Sequence, residues 1–467
     1  MDARTFDPVA EAPLAGAVPP PGRSRLDRWR ARKSQLFPFI PERAYDRPLV
    51  LTRSVLGPLA MVNDPAGVKR VLVDNVANYP KTALEQRFFT ALFGQGLLGT
   101  DGDLWRAHRR VMAPAFDPRS VAGYGPAMAA TAKAFLSRWD GLGDKAPVDM
   151  AAEMTLLTLR IISRTMFSTD SEDVVDLVGA TVRSGVDVGG DFNLLDILPV
   201  IGAARMRARE ARMASLFAPM DAVVARLVAE REHAGGAAPS DLLGRLVAAK
   251  DQETGVSLTA REVRDEVVTI FIAGHETTAV TMDWIWYALA MRPREEARLH
   301  EELDTVLPGR TPRQDDLPRL AYTRRLVEEV MRLYPAAPGL STRVALADDV
   351  VCDQTIRKGT AIALTPWVLH RHRVLWDDPE RFDPDRFLPE RSAGRQRFAY
   401  LPFGAGPRVC IGQVLAINEA ILILATLAQG YRPRLAPDAD VVLQHNVTLR
   451  PRHGLKMTLE RRTRARR

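Results

Sequence analysis

The chain has 467 residues and a formal charge of +7, with 46% apolar and 26% charged residues, the balance of a core-forming globular protein. Its two cysteines, Cys352 and Cys410, are too few for a disulfide scaffold or for a four-cysteine zinc or iron–sulfur site. The basic excess is spread thinly, and neither zinc-finger spacing nor a basic heptad region accompanies it, so nucleic acid is not an expected partner.

Residues 1–40 hold Pro8, Pro13, the Pro19-Pro20-Pro21 run and the basic stretch Arg23 to Lys33, and read as a solvated arm, with contact of the weakly basic amphipathic segment Arg28 to Phe39 with a membrane surface as the alternative. The arm lacks the apolar core of a signal peptide, and nowhere do about 20 clean apolar residues occur in a row. The expectation is a cytoplasmic chain without a transmembrane segment. Short strands are predicted at Leu49–Arg53 and Leu59–Val62, and amphipathic helices at Val121–Trp139, Met150–Phe167, Val174–Gly185 and Ala204–Arg231. The break at 235–240 is too short for a domain linker.

The most informative helix starts after Thr259, whose spacing to Glu262 is that of a capping box. It runs from Ala260 to Met291, stopped by Pro293, and its 32 residues would span about 48 Å. Its middle, Val267 to Ala273, is apolar enough for burial on all sides. Gly274-His275-Glu276-Thr277-Thr278 then interrupts it with residues that disfavour a helix interior. A local rule broken mid-helix points to a functional site, with a packing kink as the bland alternative. A zinc-protease HExxH fails, because Ala279 stands where the second histidine would be. Ile270, Ala273 and Thr277 share one face and would present small and apolar groups, with one hydroxyl, to a ligand.

Further strands are predicted at Val350–Cys352, Ala361–Leu364, Val441–Leu443 and Leu455–Leu459, with Cys352 as a buried apolar filler. Phe403-Gly404-Ala405-Gly406-Pro407-Arg408-Val409-Cys410-Ile411-Gly412 precedes an apolar helix, Val414 to Leu427. A cysteine there meets unpaired amides and the positive helix end, which lower a thiol pKa and favour the metal-ligating thiolate. The fold class is mainly α with a small β portion, in one domain over 41–460 with an Arg-rich tail over 461–467.

These motifs resemble the cytochrome P-450 haem-thiolate monooxygenases. Phe403, Gly406, Arg408, Cys410 and Gly412 fill every fixed position of the family's FxxGxRxCxG signature. Ala273 to Thr278 match (A/G)GxxT(T/S), Glu329 to Arg332 match ExxR, Pro379 to Phe382 match PERF, and Trp105 to Arg109 match WxxxR, all in family order. The resemblance implies the cytochrome P-450 fold, with the long central helix over haem b and the cysteine loop on the proximal side, Cys410 being the iron ligand. It implies cofactor contacts from Phe403, Gly404 and Gly412, with Trp105, Arg109, Arg343 and Arg408 at the haem propionates. His108 is left between a propionate contact and an exposed position.

By the same resemblance Glu329, Arg332 and Arg381 form a buried structural triad; Glu328 also has helical spacing to Arg332, and the motif selects Glu329. Thr277 would hold the oxygen adduct, and Glu276 would deliver protons. Family topology puts substrate contacts in a loop over Leu84 to Leu98, at Phe192 to Ile197, on the central helix (Ile270, Ala273), at Ala337 to Leu340 and at His445 to Val447. The implied activity inserts one oxygen atom of O2 into a lipophilic small molecule, with electrons from a ferredoxin or flavodoxin and its reductase. Basic residues near the cysteine loop (Arg395, Arg397, Arg408) suit such an acidic partner. A haem-binding redox or gas sensor without turnover is the alternative.

Overall fold

The computed structural model describes residues 13–17, 40–54, 57–168, 177, 181, 199–234, 241–251, 253–445 and 447–463. The mainly helical architecture with small sheets is the one read from the sequence. The helices that matter for the site are α1 (Ala83–Phe93), α2 (Gly102–Met112), α3 (Pro118–Leu142), α4 (Met150–Phe167), α5 (Pro199–Ala234), α6 (Ala260–Met291), α7 (Pro293–Val306), α8 (Ala321–Leu333) and α9 (Gln413–Leu427). The predicted helix at Val174–Gly185, the Phe192–Ile197 contact, the 235–240 break and most of the N-terminal arm lie outside the described residues, Leu177 and Thr181 excepted.

Helix α6 is the axis of the molecule. Its capping box is formed: the Glu262 amide donates to Thr259 Oγ1 at 3.3 Å, and the Thr259 amide donates to Glu262 Oε2 at 2.8 Å. Most of its length is buried among α4, α8 and α9, and α9 in turn packs on α3. Gly274 serves that packing, since a Cβ there would come within 3.3 Å of Ile162 Cδ1 on α4. The following hydroxyls do not break the helix. Thr277, Thr278 and Thr281 each donate to the carbonyl one turn back, at 2.7, 3.1 and 2.8 Å.

Strands β1 (Leu49–Ser54), β2 (Gly57–Val62), β4 (Arg343–Val344) and β7 (Ala361–Leu364) form one sheet in the order β1-β2-β7-β4, with β2 and β7 parallel. Strands β3 (Ala146–Asp149), β8 (Tyr431–Leu435) and β11 (Lys456–Arg461) form a second, and hairpins β5–β6 (Asp349–Val351, Gln354–Ile356) and β9–β10 (Leu443–His445, Leu449–Pro451) complete the β portion. Cys352 packs against the apolar cluster around Val351 and Ile356, as a filler would, but from a turn and not from a strand. It is half-buried at the β5–β6 turn with φ 48°, beside Asp353 at φ 59°.

Residues 13–17 and 461–462 are more structured than composition suggests. Residues 13–17 are seated in the fold: Leu14 is buried, the Ala15 amide donates to Tyr287 Oη at 2.9 Å, and Tyr334 Oη donates to the Ala15 carbonyl at 2.8 Å. Arg461 closes β11 and Arg462 pairs with Asp304, so these two residues of the expected tail are part of the fold.

Candidate active site

Helix α6, the cysteine loop and the α1–α2 region enclose a cavity of about 440 Å³. Cys410 opens into it from the loop. Gly404 and Gly406 have φ 71° and 72°, and a Cβ on Gly406 would lie 2.0 Å from the Leu72 carbonyl oxygen, so only glycine fits that contact. The Cys410 amide donates to the Phe403 carbonyl at 2.9 Å, which turns the side chain inward ahead of α9. Protein encloses the sulfur except on the cavity side, and that burial pushes the thiol pKa up; the Gly412 amide and Arg109 pull it down without prevailing. The lowering inferred from the loop's amides is thus outweighed by desolvation.

A cluster of cations lines the same cavity. Trp105 and Arg109 reach it from α2, Arg343 from β4, Arg408 from the loop and Lys81 from the segment before α1. Arg408 pairs with Asp101, the N-cap of α2, and stacks 4.1 Å from the Trp105 ring centroid. Arg343 is buried with Nε lacking a partner among the described residues, and burial followed by Arg408 lowers its pKa. Lys81 donates to the Leu98 carbonyl at 2.6 Å, and burial followed by Arg408 brings it down to about 8. Sequence reasoning missed Lys81, which pairs backbone with Arg343 across a β-bridge that no motif announces. His108 takes neither expected role: it is buried, with Nδ1 2.8 Å from Glu266 Oε1 and Nε2 3.4 Å from Glu262 Oε1.

The apolar wall includes Ile270, Ala273, Ala337, Leu340 and Val447, joined by Phe89, Phe93 and Leu97. The expected Leu84–Leu98 loop is for the most part helix α1, capped by Thr82. Thr277 lines the cavity, its hydroxyl proton spent on the Ala273 carbonyl and its lone pairs left to accept. Glu276 also lines it and is clamped: Oε1 accepts from Thr448 Oγ1 at 2.8 Å and from Arg450 Nη2 at 2.7 Å. Glu419 on α9 was not foreseen. It borders the cavity, and burial alone raises its carboxyl to about 8.

Below the cavity Arg332 grips Glu329 with Nε at 2.7 Å and Nη2 at 2.8 Å, both side chains fully buried. Its Nη1 donates to the His370 and Pro379 carbonyls at 2.9 and 2.6 Å. Glu328 turns away to Arg324 at 3.4 Å. The third arginine is Arg386, whose Nε lies 3.6 Å from Glu329 Oε1; Arg381 is exposed and contributes only its carbonyl, at 3.1 Å from Arg332 Nη2. Pro384-Asp385-Arg386-Phe387 repeats the P-x-R-F spacing of Pro379 to Phe382, which is why the sequence alone misassigned the position.

A glycine-held thiol, cations and the long helix carrying Thr277 thus border one apolar cavity. The chain belongs to the cytochrome P-450 family: the family described as Cytochrome P450 matches residues 48–458. It is 35% identical to "Cyclooctatin synthase" of Streptomyces melanosporofaciens over 86% of this chain and 84% of that one. It is 36% identical to "Cyclooctat-9-en-7-ol 5-monooxygenase" of the same organism over 74% of each. The crystal structure of the cytochrome P450DA heme domain superposes with TM-score 0.77 at 28% identity, covering 89% of this chain and 90% of that one. The protein is therefore a cytochrome P-450 monooxygenase, and its family cofactor is a haem.

The residues present fit that cofactor. A flat dicarboxylate macrocycle needs an apolar slot, an axial donor and cations at its edge; the cavity offers Cys410 and the cations Lys81, Arg109, Arg408 and Arg343, the last with Nε lacking a partner among the described residues. Among the described residues no group of three or more His, Cys, Asp or Glu could cage a metal ion, and no helix is long and apolar enough to cross a membrane.

Proposed function

We propose that this chain binds haem b through Cys410 and inserts one atom of O2 into an apolar, unsaturated cyclic hydrocarbon or its alcohol, of the terpenoid class. Electrons come from a separate ferredoxin or flavodoxin with its reductase. The single observation that carries the reading is that Cys410, the Lys81–Arg109–Arg343–Arg408 cations and Thr277 border one cavity. The names of the two Streptomyces relatives support the substrate class, as does the apolar wall.

Bound haem supplies dioxygen activation, tuned by electron donation from the sulfur. Arg109, Arg343 and Arg408, with Lys81, would balance the charge of the two propionates, and the Trp105 indole N–H would add a donor. Phe403, Gly404 and Gly412 hold the loop close enough for amides to temper the sulfur's charge. Ile270, Ala273, Ala337, Leu340 and Val447 exclude water from the substrate side. Thr277 Oγ1 accepts a hydrogen bond from a donor in the cavity. Glu276 takes part in proton delivery after its carboxylate swings away from Thr448 and Arg450, which hold it at the cavity wall.

Turnover of the haem-loaded chain with a surrogate ferredoxin system, isotopically labelled O2 and a panel of cyclic terpene hydrocarbons tests this. One labelled oxygen atom per product molecule is expected. Consumption of electrons with no labelled product across the panel would favour the sensor alternative.

A further inference from the structure

Helix α6 carries two consecutive acids, Asp265 and Glu266, one turn before its apolar cavity face, and both are buried. Neither is needed for the helix, and buried carboxylates are costly unless their hydrogen bonds are well met. Both reach the same target, the turn that follows α1. The Gln95 amide donates to Asp265 Oδ2 at 2.8 Å, and the Leu97 amide donates to Glu266 Oε2 at 3.1 Å. The turn lies flat on the helix because it is glycine-rich. A Cβ on Gly94 would meet the Asp265 carboxyl at 2.4 Å, and one on Gly96 would meet Thr269 Oγ1 at 2.1 Å. Leu97 and Leu98, which this contact fixes, line the cavity.

The second oxygen of Glu266 explains the buried histidine. Glu266 Oε1 stands 2.8 Å from His108 Nδ1, so α2, which also carries Trp105 and Arg109, braces the carboxylate from behind. Asp265 is braced separately by Arg264, whose Nη1 donates at 2.6 Å and whose Nε reaches Asp221 on α5 at 2.8 Å.

We propose that Glu266, braced by His108, is a positioning residue that latches the 94–98 turn to α6 and so sets the upper size of the apolar substrate the cavity admits. This rests on the reading of the cavity as a haem-and-substrate site and adds what determines its selectivity. The latch acts on the wall and touches no reacting atom.

The test uses the full haem-loaded chain and alkyl-substituted imidazoles of increasing bulk, titrated by the spectral shift on binding. Wild type should show affinity falling steeply beyond a limiting bulk. Glu266→Leu together with His108→Leu removes both polar partners at once, which spares the core an orphaned charge. It should keep the thiolate-type spectrum of the reduced carbon-monoxide complex and bind the bulkiest imidazoles about tenfold or more tighter relative to the smallest, the scale of pocket discrimination. Glu266→Gln keeps an acceptor for Leu97 and should restore the wild-type profile. Gly96→Ala, with Glu266 intact, should relax the limit by lifting the turn from Thr269, and it decides the matter should the double variant fail to fold. An unchanged size profile in the folded double variant, or in Gly96→Ala if only that folds, overturns the latch. Loss of the thiolate-type spectrum in wild type would instead overturn the functional reading on which it rests.

Discussion

Glu419 shows how a single side chain reports on the environment around the cofactor slot. In the fold its carboxyl keeps the proton up to about 8, against an ordinary value of 4.5, and the whole cause is burial. The unfolded chain releases that proton first, so between those two values the native state binds more protons and loses stability as pH rises. Glu419→Gln mimics the protonated side chain and removes this dependence. Its melting temperature relative to wild type should climb from pH 4.5 to pH 8 and level off above, as thermal unfolding at a series of pH values will show. A constant offset across the range would mean that the side chain is ionised in the fold. Nothing in the sequence pattern gave Glu419 away, because a glutamate inside an apolar helix looks alike whether it reaches solvent or not. Lys81 was hidden for a related reason: its role comes from a β-bridge to Arg343, a partner 262 residues along the chain by their numbering.

Among elements, periodicity and caps located the helices well wherever one side of the helix is buried. The α6 bounds follow from Thr259 and Pro293, two residues whose backbone chemistry is local. What escaped were contacts made by chain reversal, such as the short strands β4 and β10, which hold Arg343 and Arg450 at the cavity yet span three residues or fewer. The triad illustrates the same limit. Two P-x-R-F spacings follow one another, and only the fold decides which arginine turns inward. Arg386→Leu should therefore destabilise the protein by on the order of 3 kcal/mol, since it strips a cation from the buried Glu329 and donors from the Asp377 and Asp378 carbonyls. Arg381→Ala should leave stability nearly unchanged, because only its backbone takes part. Denaturant unfolding of the two variants side by side tests the assignment, and the reverse order would restore Arg381.

At the scale of the molecule, the cavity is where the independent devices meet. The glycine loop delivers the thiol, α2 and β4 deliver cations, α6 delivers Thr277, and the α1–α2 turn closes the apolar wall. Sequence motifs revealed the thiol and the central helix because their chemistry demands fixed residues at fixed spacing. The wall was legible only as a set of apolar stretches, since many side chains can exclude water equally well. All of it presupposes that Cys410 donates its sulfur to the haem iron. The absorption spectrum of the reduced, carbon-monoxide-bound protein reports on that bond directly. Wild type should give the strongly red-shifted Soret band of a thiolate-ligated haem, and Cys410→Ala should lose it. A wild-type spectrum of the histidine-ligated kind, or a Cys410→Ala spectrum indistinguishable from wild type, would contradict the account.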